Sequence, residues 1–178
     1  MPPESYRGPL KKDEKKESSR SFSQSTGTGL AAEGAGNTVG AILADKGDDI
    51  YTITPDMTIR EVVGELHQRK IGVLLILDDD QNLQGIVSER DVVYGISEKG
   101  ETILDEPVRN IMTPDPVTCS PGDHLQVIMT KMTEGRFRHM PVIDHGIACG
   151  MVSIRDVVHH RLKELEYENL KIKQLIVG

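Results

Sequence analysis

Gly85-Ile-Val-Ser-Glu-Arg-Asp-Val-Val93 returns later in the chain as Gly150-Met-Val-Ser-Ile-Arg-Asp-Val-Val158, with seven of nine positions unchanged. So dense a match is the mark of an internal repeat, and the sequence ahead of it extends the repeat. Ile71-Gly-Val-Leu-Leu-Ile-Leu-Asp78 falls on Phe137-Arg-His-Met-Pro-Val-Ile-Asp144. Earlier still, Thr52-Ile53-Thr54-Pro55 falls on Thr118-Cys119-Ser120-Pro121, both at an offset of 66. The loop before the nine-residue match is one residue shorter in the second copy. Order, register and spacing agree, so the middle of the chain is a tandem duplication.

Each copy reads β-α-β-β-α. A short β-branched run (Tyr51–Thr54; Val117–Cys119) meets a proline, and a helix follows. Its apolar stripe at i, i+3, i+4 and i+7 is Ile59, Val62, Val63 and Leu66 in copy one, and Leu125, Ile128, Met129 and Met132 in copy two. A buried strand comes next (Gly72–Leu77; His139–Ile143). Asp78-Asp-Asp-Gln-Asn82 or Asp144-His-Gly146 then supplies hairpin chemistry. The third strand ends at Ser88 or Ser153, where the closing helix begins. The fold class is α+β. A unit of about 60 residues cannot bury both of its helices alone, so the copies are expected to pack on each other.

The 178 residues carry 28 acidic and 21 basic side chains, net −7, with 3% aromatics, no Trp and two Cys. Residues 1–38 hold six basic and five acidic groups among Ser, Gly and Lys, which leaves about −8 on the remainder. That sign disfavours nucleic acid and anionic lipid as partners. The longest apolar run, Ile71–Leu77, is far too short for a membrane span. Cys119 and Cys149 cannot form a disulfide framework or a four-ligand zinc site and read as small buried hydrophobes. By composition residues 1–38 are a disordered tail or leader. Arg20-Ser21-Phe22-Ser23 loosely resembles a mitochondrial processing site, while Glu4, Asp13, Glu14 and Glu17 are wrong for a transit peptide. The expected location is soluble, in the mitochondrial matrix or otherwise the cytoplasm. The expected division is tail 1–38, repeat one 39–100, repeat two 101–160 and C-terminal helix 161–178.

Ser88 with Asp91, and Ser153 with Asp156, begin the closing helices. S-x-x-D is a capping box that satisfies orphan N–H groups. The same helix N-terminus offers free donors and the positive end of a dipole to an anion, with a carboxylate suited to a diol. Both readings can hold at once. The copies differ at the strand entrance, with Arg136-Phe137-Arg138-His139 in copy two against Lys70-Ile71-Gly72-Val73 in copy one. Two guanidiniums and an imidazole there suit a phosphate or form a plain basic surface cluster.

The repeat, its two G-h-h-S-x-x-D motifs and the strand-ending Pro141-Val-Ile-Asp144 closely resemble the cystathionine-β-synthase (CBS) domain family, arranged over residues 39–160 as a two-copy Bateman module. Residues 38–47 resemble its lead-in helix, and Glu106–Pro114 the linker that opens copy two. The resemblance implies an adenosine nucleotide ligand, AMP first and NAD(H) second, and no metal requirement. It implies Asp91 and Asp156 on ribose hydroxyls, Ser88 and Ser153 near phosphate, and Arg138 and His139 on phosphate with Arg136 beside them. The expectation is two unequal sites, with the basic cluster completing the Asp156 cleft for an AMP-like ligand and the Asp91 cleft taking a neutral portion of a larger ligand or staying empty. Bateman modules also pair into discs, which implies a homodimer.

No P-loop, dinucleotide fingerprint, H-E-x-x-H or G-x-S-x-G occurs. The expectation is a non-enzymatic regulatory module signalling to a separate, unidentified partner protein. The alternative is an accessory or scaffolding subunit of a larger, mitochondrial complex with vestigial sites. From Arg155 onward, Val158, Leu162, Leu165, Asn169, Ile172 and Ile176 recur at 4,3,4,3,4. That is a heptad seam with one Asn at an a position, read as a self-association surface.

Overall fold

The computed structural model describes residues 36–47 and 49–177. The readings of residues 1–35 as tail or leader lie outside them. The first copy runs β1 (Thr52–Ile53), α2 (Ile59–Arg69), β2 (Val73–Leu77), β3 (Leu83–Ser88) and α3 (Glu89–Lys99), preceded by α1 (Val39–Lys46). Two short 3-10 turns and β4 (Thr113–Pro114) lead to α4 (Leu125–Gly135), β5 (His139–Asp144), β6 (Ile147–Ser153) and α5 (Ile154–Val177). The α+β reading holds. In copy one β1 pairs parallel with β2, β2 antiparallel with β3, and β3 antiparallel with β4. In copy two β5 and β6 form an antiparallel pair, and a parallel bridge from Cys119 to Val142 stands where β1 stands in copy one.

The apolar periodicity explains the layers. Ile59, Val62 and Leu66 turn into the core with Leu74 and Ile76 of β2. Val63, at the edge of the expected stripe, is exposed. Alternate residues of the same strand, Leu75 and Leu77, point the other way and pack with Ala148, Ile86, Ile143 and Met151. A strand with helices on one face and the other copy on its second face is buried on both, so its sequence is a continuous apolar run rather than an alternation.

The segments that precede each copy are exchanged. Val39 and Ile42 of α1 are buried in the core of copy two, beside Leu125, Ile128 and Val152. Ile103 and Val108, which come before copy two in the chain, are buried in the core of copy one. The same three backbone hydrogen bonds fix both dockings. Leu125 N donates to Asn37 O (3.0 Å), Val39 N to Asp123 O (2.9 Å) and Gly40 N to Pro121 O (2.8 Å). Their counterparts are Ile59 N to Glu106 O (3.0 Å), Val108 N to Met57 O (2.8 Å) and Arg109 N to Pro55 O (3.2 Å). The linker at 103–114 thus packs on the copy it leaves, not the one it opens.

The motif glycines make room for these segments. A Cβ on Gly85 would stand 2.7 Å from Thr113 O, and one on Gly150 would stand 2.7 Å from the end of the Leu43 side chain. The first contact is to backbone and holds β4 against β3. At Gly85 the backbone contact leaves no room for a side chain, whereas at Gly150 the neighbour is the end of a leucine side chain.

Candidate functional site

β3 ends at Ser88 and β6 at Ser153, and each serine hands the chain to a helix. At α3, Asp91 Oδ2 accepts from Ser88 N (2.7 Å) and Ser88 Oγ (2.6 Å). At α5, Asp156 Oδ2 accepts from Ser153 N (2.9 Å) and Oγ (2.8 Å), while Asp156 N donates to Ser153 Oγ (3.2 Å). The capping reading is therefore realised at both helices. It does not consume the carboxylate, because at Asp91 both bonds fall on one oxygen. Among the described residues Oδ1 of Asp91 has no hydrogen bond, and no cation lies within ion-pair reach of the group.

A cleft of about 550 Å³ opens at this helix start. Copy one contributes Gly72, Val73, Ile86, Ser88 and Asp91, with Glu89 and Arg90 at its rim. The opposite wall is Arg136, Phe137, Arg138 and His139 from copy two, and Thr113, Asp115, Pro116 and Val117 from the linker form its edge. The carboxylates of Glu89, Asp91 and Asp115, with Arg90, thus line the cleft from the first copy and the linker, and Arg136 and Arg138 line it from the second.

The basic cluster therefore belongs to the Asp91 cleft, against the expectation that it completes the Asp156 site. The two copies stand face to face, which brings the β5 entrance opposite the α3 start of the other copy. At Asp156 the cap bonds also fall on Oδ2, and Lys46 Nζ of the exchanged α1 lies 2.8 Å from that same oxygen and reaches Met151 O at 3.4 Å. What sets Asp156 apart from Asp91 is thus a paired charge rather than a consumed oxygen. Burial pushes the Asp156 carboxyl up, but the bonds from Lys46 and Ser153 outweigh it and hold the group below its ordinary value. His139 lines the Asp91 cleft and is paired with Ser153 in the β5–β6 ladder. Burial, then the charge of Lys46 and that of Arg138, lower its pKa against the opposing pull of Asp156 and Glu89. It is neutral near pH 7, so the fixed positive charges facing Asp91 are the arginines.

Arg136 follows α4 in a left-handed conformation (φ 54°), as Lys70 does after α2 (φ 55°). Glycine is favoured in such a position, and its replacement by arginine puts a cation at the cleft mouth. Sequence reasoning missed Glu89, Arg90 and Asp115 as cleft residues and Lys46 as a partner of Asp156. The first two sit inside the S-x-x-D motif and were within reach. Asp115 and Lys46 arrive through the exchanged segments, which carry no motif. Asp78 is bound within its own hairpin, to Asn82 N (2.8 Å) and Gln84 Nε2 (2.7 Å). Among the described residues no His, Cys, Asp and Glu cluster could hold a metal ion, and no helix is long and apolar enough to cross a membrane. Cys119 is buried, and its thiol is pushed up to about 12 by burial and then by Asp123.

The CBS domain family matches this chain twice, at residues 39–98 and 108–163. A CBS-domain-containing protein from Agrobacterium tumefaciens has a solved structure that superposes with a TM-score of 0.69. It is 39% identical, and the match covers 71% of this chain and 94% of that one. A CBS domain protein from Pyrobaculum aerophilum, solved in complex with AMP, gives 0.64 at 27% identity, covering 74% and 98%. The mitochondrial CBS domain-containing protein CBSX3 of Arabidopsis thaliana is 34% identical over 128 residues, 67% of this chain and 62% of that protein. The chain spans less than two thirds of the length of that relative.

Proposed function

The chain belongs to the CBS domain family as a pair of such domains, and on that footing we propose that it is a regulatory module, without catalysis of its own, that binds an adenosine nucleotide in the Asp91 cleft. The observation that carries the proposal is the bipolar construction of that cleft. Asp91 offers an uncommitted carboxylate oxygen to a ribose diol at the start of α3. Arg136 and Arg138 offer planar donor forks to a phosphate from the other copy. Gly72, Val73, Ile86, Phe137 and Val117 supply apolar surface for a base, and the volume is in the range of small-molecule sites. AMP is the first candidate, supported by the AMP complex of the Pyrobaculum relative, and NAD(H) the second.

The ligand would touch both copies, so it would favour whichever relative placement of the copies presents both walls to it. A shift follows only from that difference in affinity. The regulated molecule is a separate protein, and the likeness to a mitochondrial relative supports the organelle as its location. The Lys46–Asp156 pair favours a second reading for the other half of the module: an occupied, structural site rather than a second sensor. Thermal melting of the purified chain with AMP, ATP, NADH and adenosine tests the proposal. A ligand at a hundred times its dissociation constant adds about 2.7 kcal/mol, a shift of several degrees for a domain of this size. A shift with AMP that is absent with adenosine supports the phosphate wall. The absence of any shift overturns the reading.

A further inference from the structure

α5 begins as part of the second copy, where Val157 is buried, and then leaves it. Beyond Arg161 the helix continues for about four turns, roughly 24 Å. Along one side of it Leu162, Leu165, Ile172 and Ile176 are 55%, 45%, 57% and 77% exposed. A helix of that length is marginal in water without tertiary contact, yet these four side chains stay about half exposed or more, as do Tyr167, Leu170 and Leu175 off that side. Their spacing is that of a coiled-coil seam: Val158, Leu165 and Ile172 at d, and Leu162, Asn169 and Ile176 at a.

We propose that this half of α5 pairs with α5 of a second copy of the chain as a parallel, in-register two-stranded coiled coil. The flanking charges choose the occupant and its direction. Arg161 and Glu168 fall at g, and Glu166 and Lys173 at e. In a parallel pair each g residue meets the following e residue of the other helix. Arg161 then meets Glu166 of the second copy, and Glu168 meets Lys173 of the second copy, on both sides of the two-fold. Asn169 meets Asn169, the pairing that fixes register and two-strandedness. An antiparallel pair that used the same seam would set Glu166 against Glu166, Glu168 against Glu168 and Asn169 against Leu165. Like charges and an unmatched amide count against it. The Arg161–Glu164 ion pair within the helix keeps Arg161 on the same flank.

Sedimentation equilibrium of the full chain over micromolar concentrations tests the pairing. The wild type is expected to be a reversible dimer. Glu168→Lys places like charges at both symmetric contacts and should raise the dimer dissociation constant about tenfold. Adding Lys173→Glu to it should restore the wild-type value. Both positions are exposed and far from the folded body, so neither variant threatens folding. For direction, Leu165→Cys should give a disulfide-linked dimer under mild oxidation, with the wild type as the control for the native thiols. A wild-type monomer throughout, a dimer indifferent to Glu168→Lys, or a dimer that does not cross-link at 165 overturns the proposal. So does a seam that pairs only with a different protein.

Discussion

Ile42 and Val108 lie in the two exchanged lead-in segments and are buried in opposite copies, so the same kind of truncation should loosen opposite halves of the molecule. Ile42 lies in the cluster with Leu125, Ile128, Met132 and Val152. Ile42→Ala removes three methyl-sized groups from a packed site, and cavity formation adds to the lost transfer energy, for about 2–4 kcal/mol. Val108→Ala removes two groups, for about 2–3 kcal/mol by the same reasoning. Neither residue bears on the other copy's core, because the junction is built by a third set of side chains around Leu75, Leu77 and Ala148. Hydrogen exchange read by mass spectrometry separates the effects. Ile42→Ala should speed exchange across residues 119–157 and spare 52–99, although residue 42 adjoins the first copy in sequence. Val108→Ala should do the reverse. Local opening free energies that fall by these amounts in the named half support the exchange of lead-in segments. Faster exchange in copy one with Ile42→Ala would refute it.

Gly85→Ala sets a methyl group against Thr113 O and should cost about 1–3 kcal/mol; chemical denaturation measures the loss, and the loosened cleft edge should weaken nucleotide binding too. Lys70→Gly and Arg136→Gly each relieve a left-handed non-glycine residue, and each should stabilise the fold by up to about 1 kcal/mol. Only Arg136→Gly should lower affinity for a phosphate-bearing ligand, so melting and titration data on the pair separate strain from function. His139 is held neutral in the folded state by burial and the charges of Lys46 and Arg138. The unfolded chain therefore binds its proton more readily, and stability should fall as pH drops below about 6.5. Melting curves of wild type beside His139→Gln check the sign, since the variant should lose less stability on acidification.

The duplication, the β-α-β-β-α order and both helix starts were legible because each depends on residues close in sequence. A period of 66 residues, strand patterns ending at serine and S-x-x-D caps are local signals. The lead-in helix at 38–47 was legible as a helix but not as a neighbour of copy two. Val39 and Ile42 announce an apolar face without saying which core receives it, since both copies offer equivalent sites. The grouping of Arg136, Arg138 and His139 with Asp91 was not legible for the same reason. Arg136, Arg138 and His139 lie in the copy that carries Asp156, and sequence proximity joined them to it. The face-to-face placement of the copies turns the arginines toward Asp91, and Lys46 fills the place at Asp156 that the cluster had been expected to take. The 4,3,4,3,4 spacing on α5 is a local signal carried by one helix, while the contacts between the copies leave no such period.

Calorimetric titration of the full chain with AMP, comparing wild type, Asp91→Ala and Asp156→Ala, tests the central claim most directly. Loss of charge-assisted bonds to a ribose diol is worth about 1.5–3 kcal/mol, so Asp91→Ala should weaken binding about tenfold to a hundredfold. Asp91 also caps α3, and a melting curve of the variant confirms that it remains folded. Asp156→Ala should leave the main binding step within about twofold of wild type, since its carboxylate is held by Lys46. Binding that survives Asp91→Ala and disappears with Asp156→Ala would contradict the account, as would a wild type that takes up no AMP.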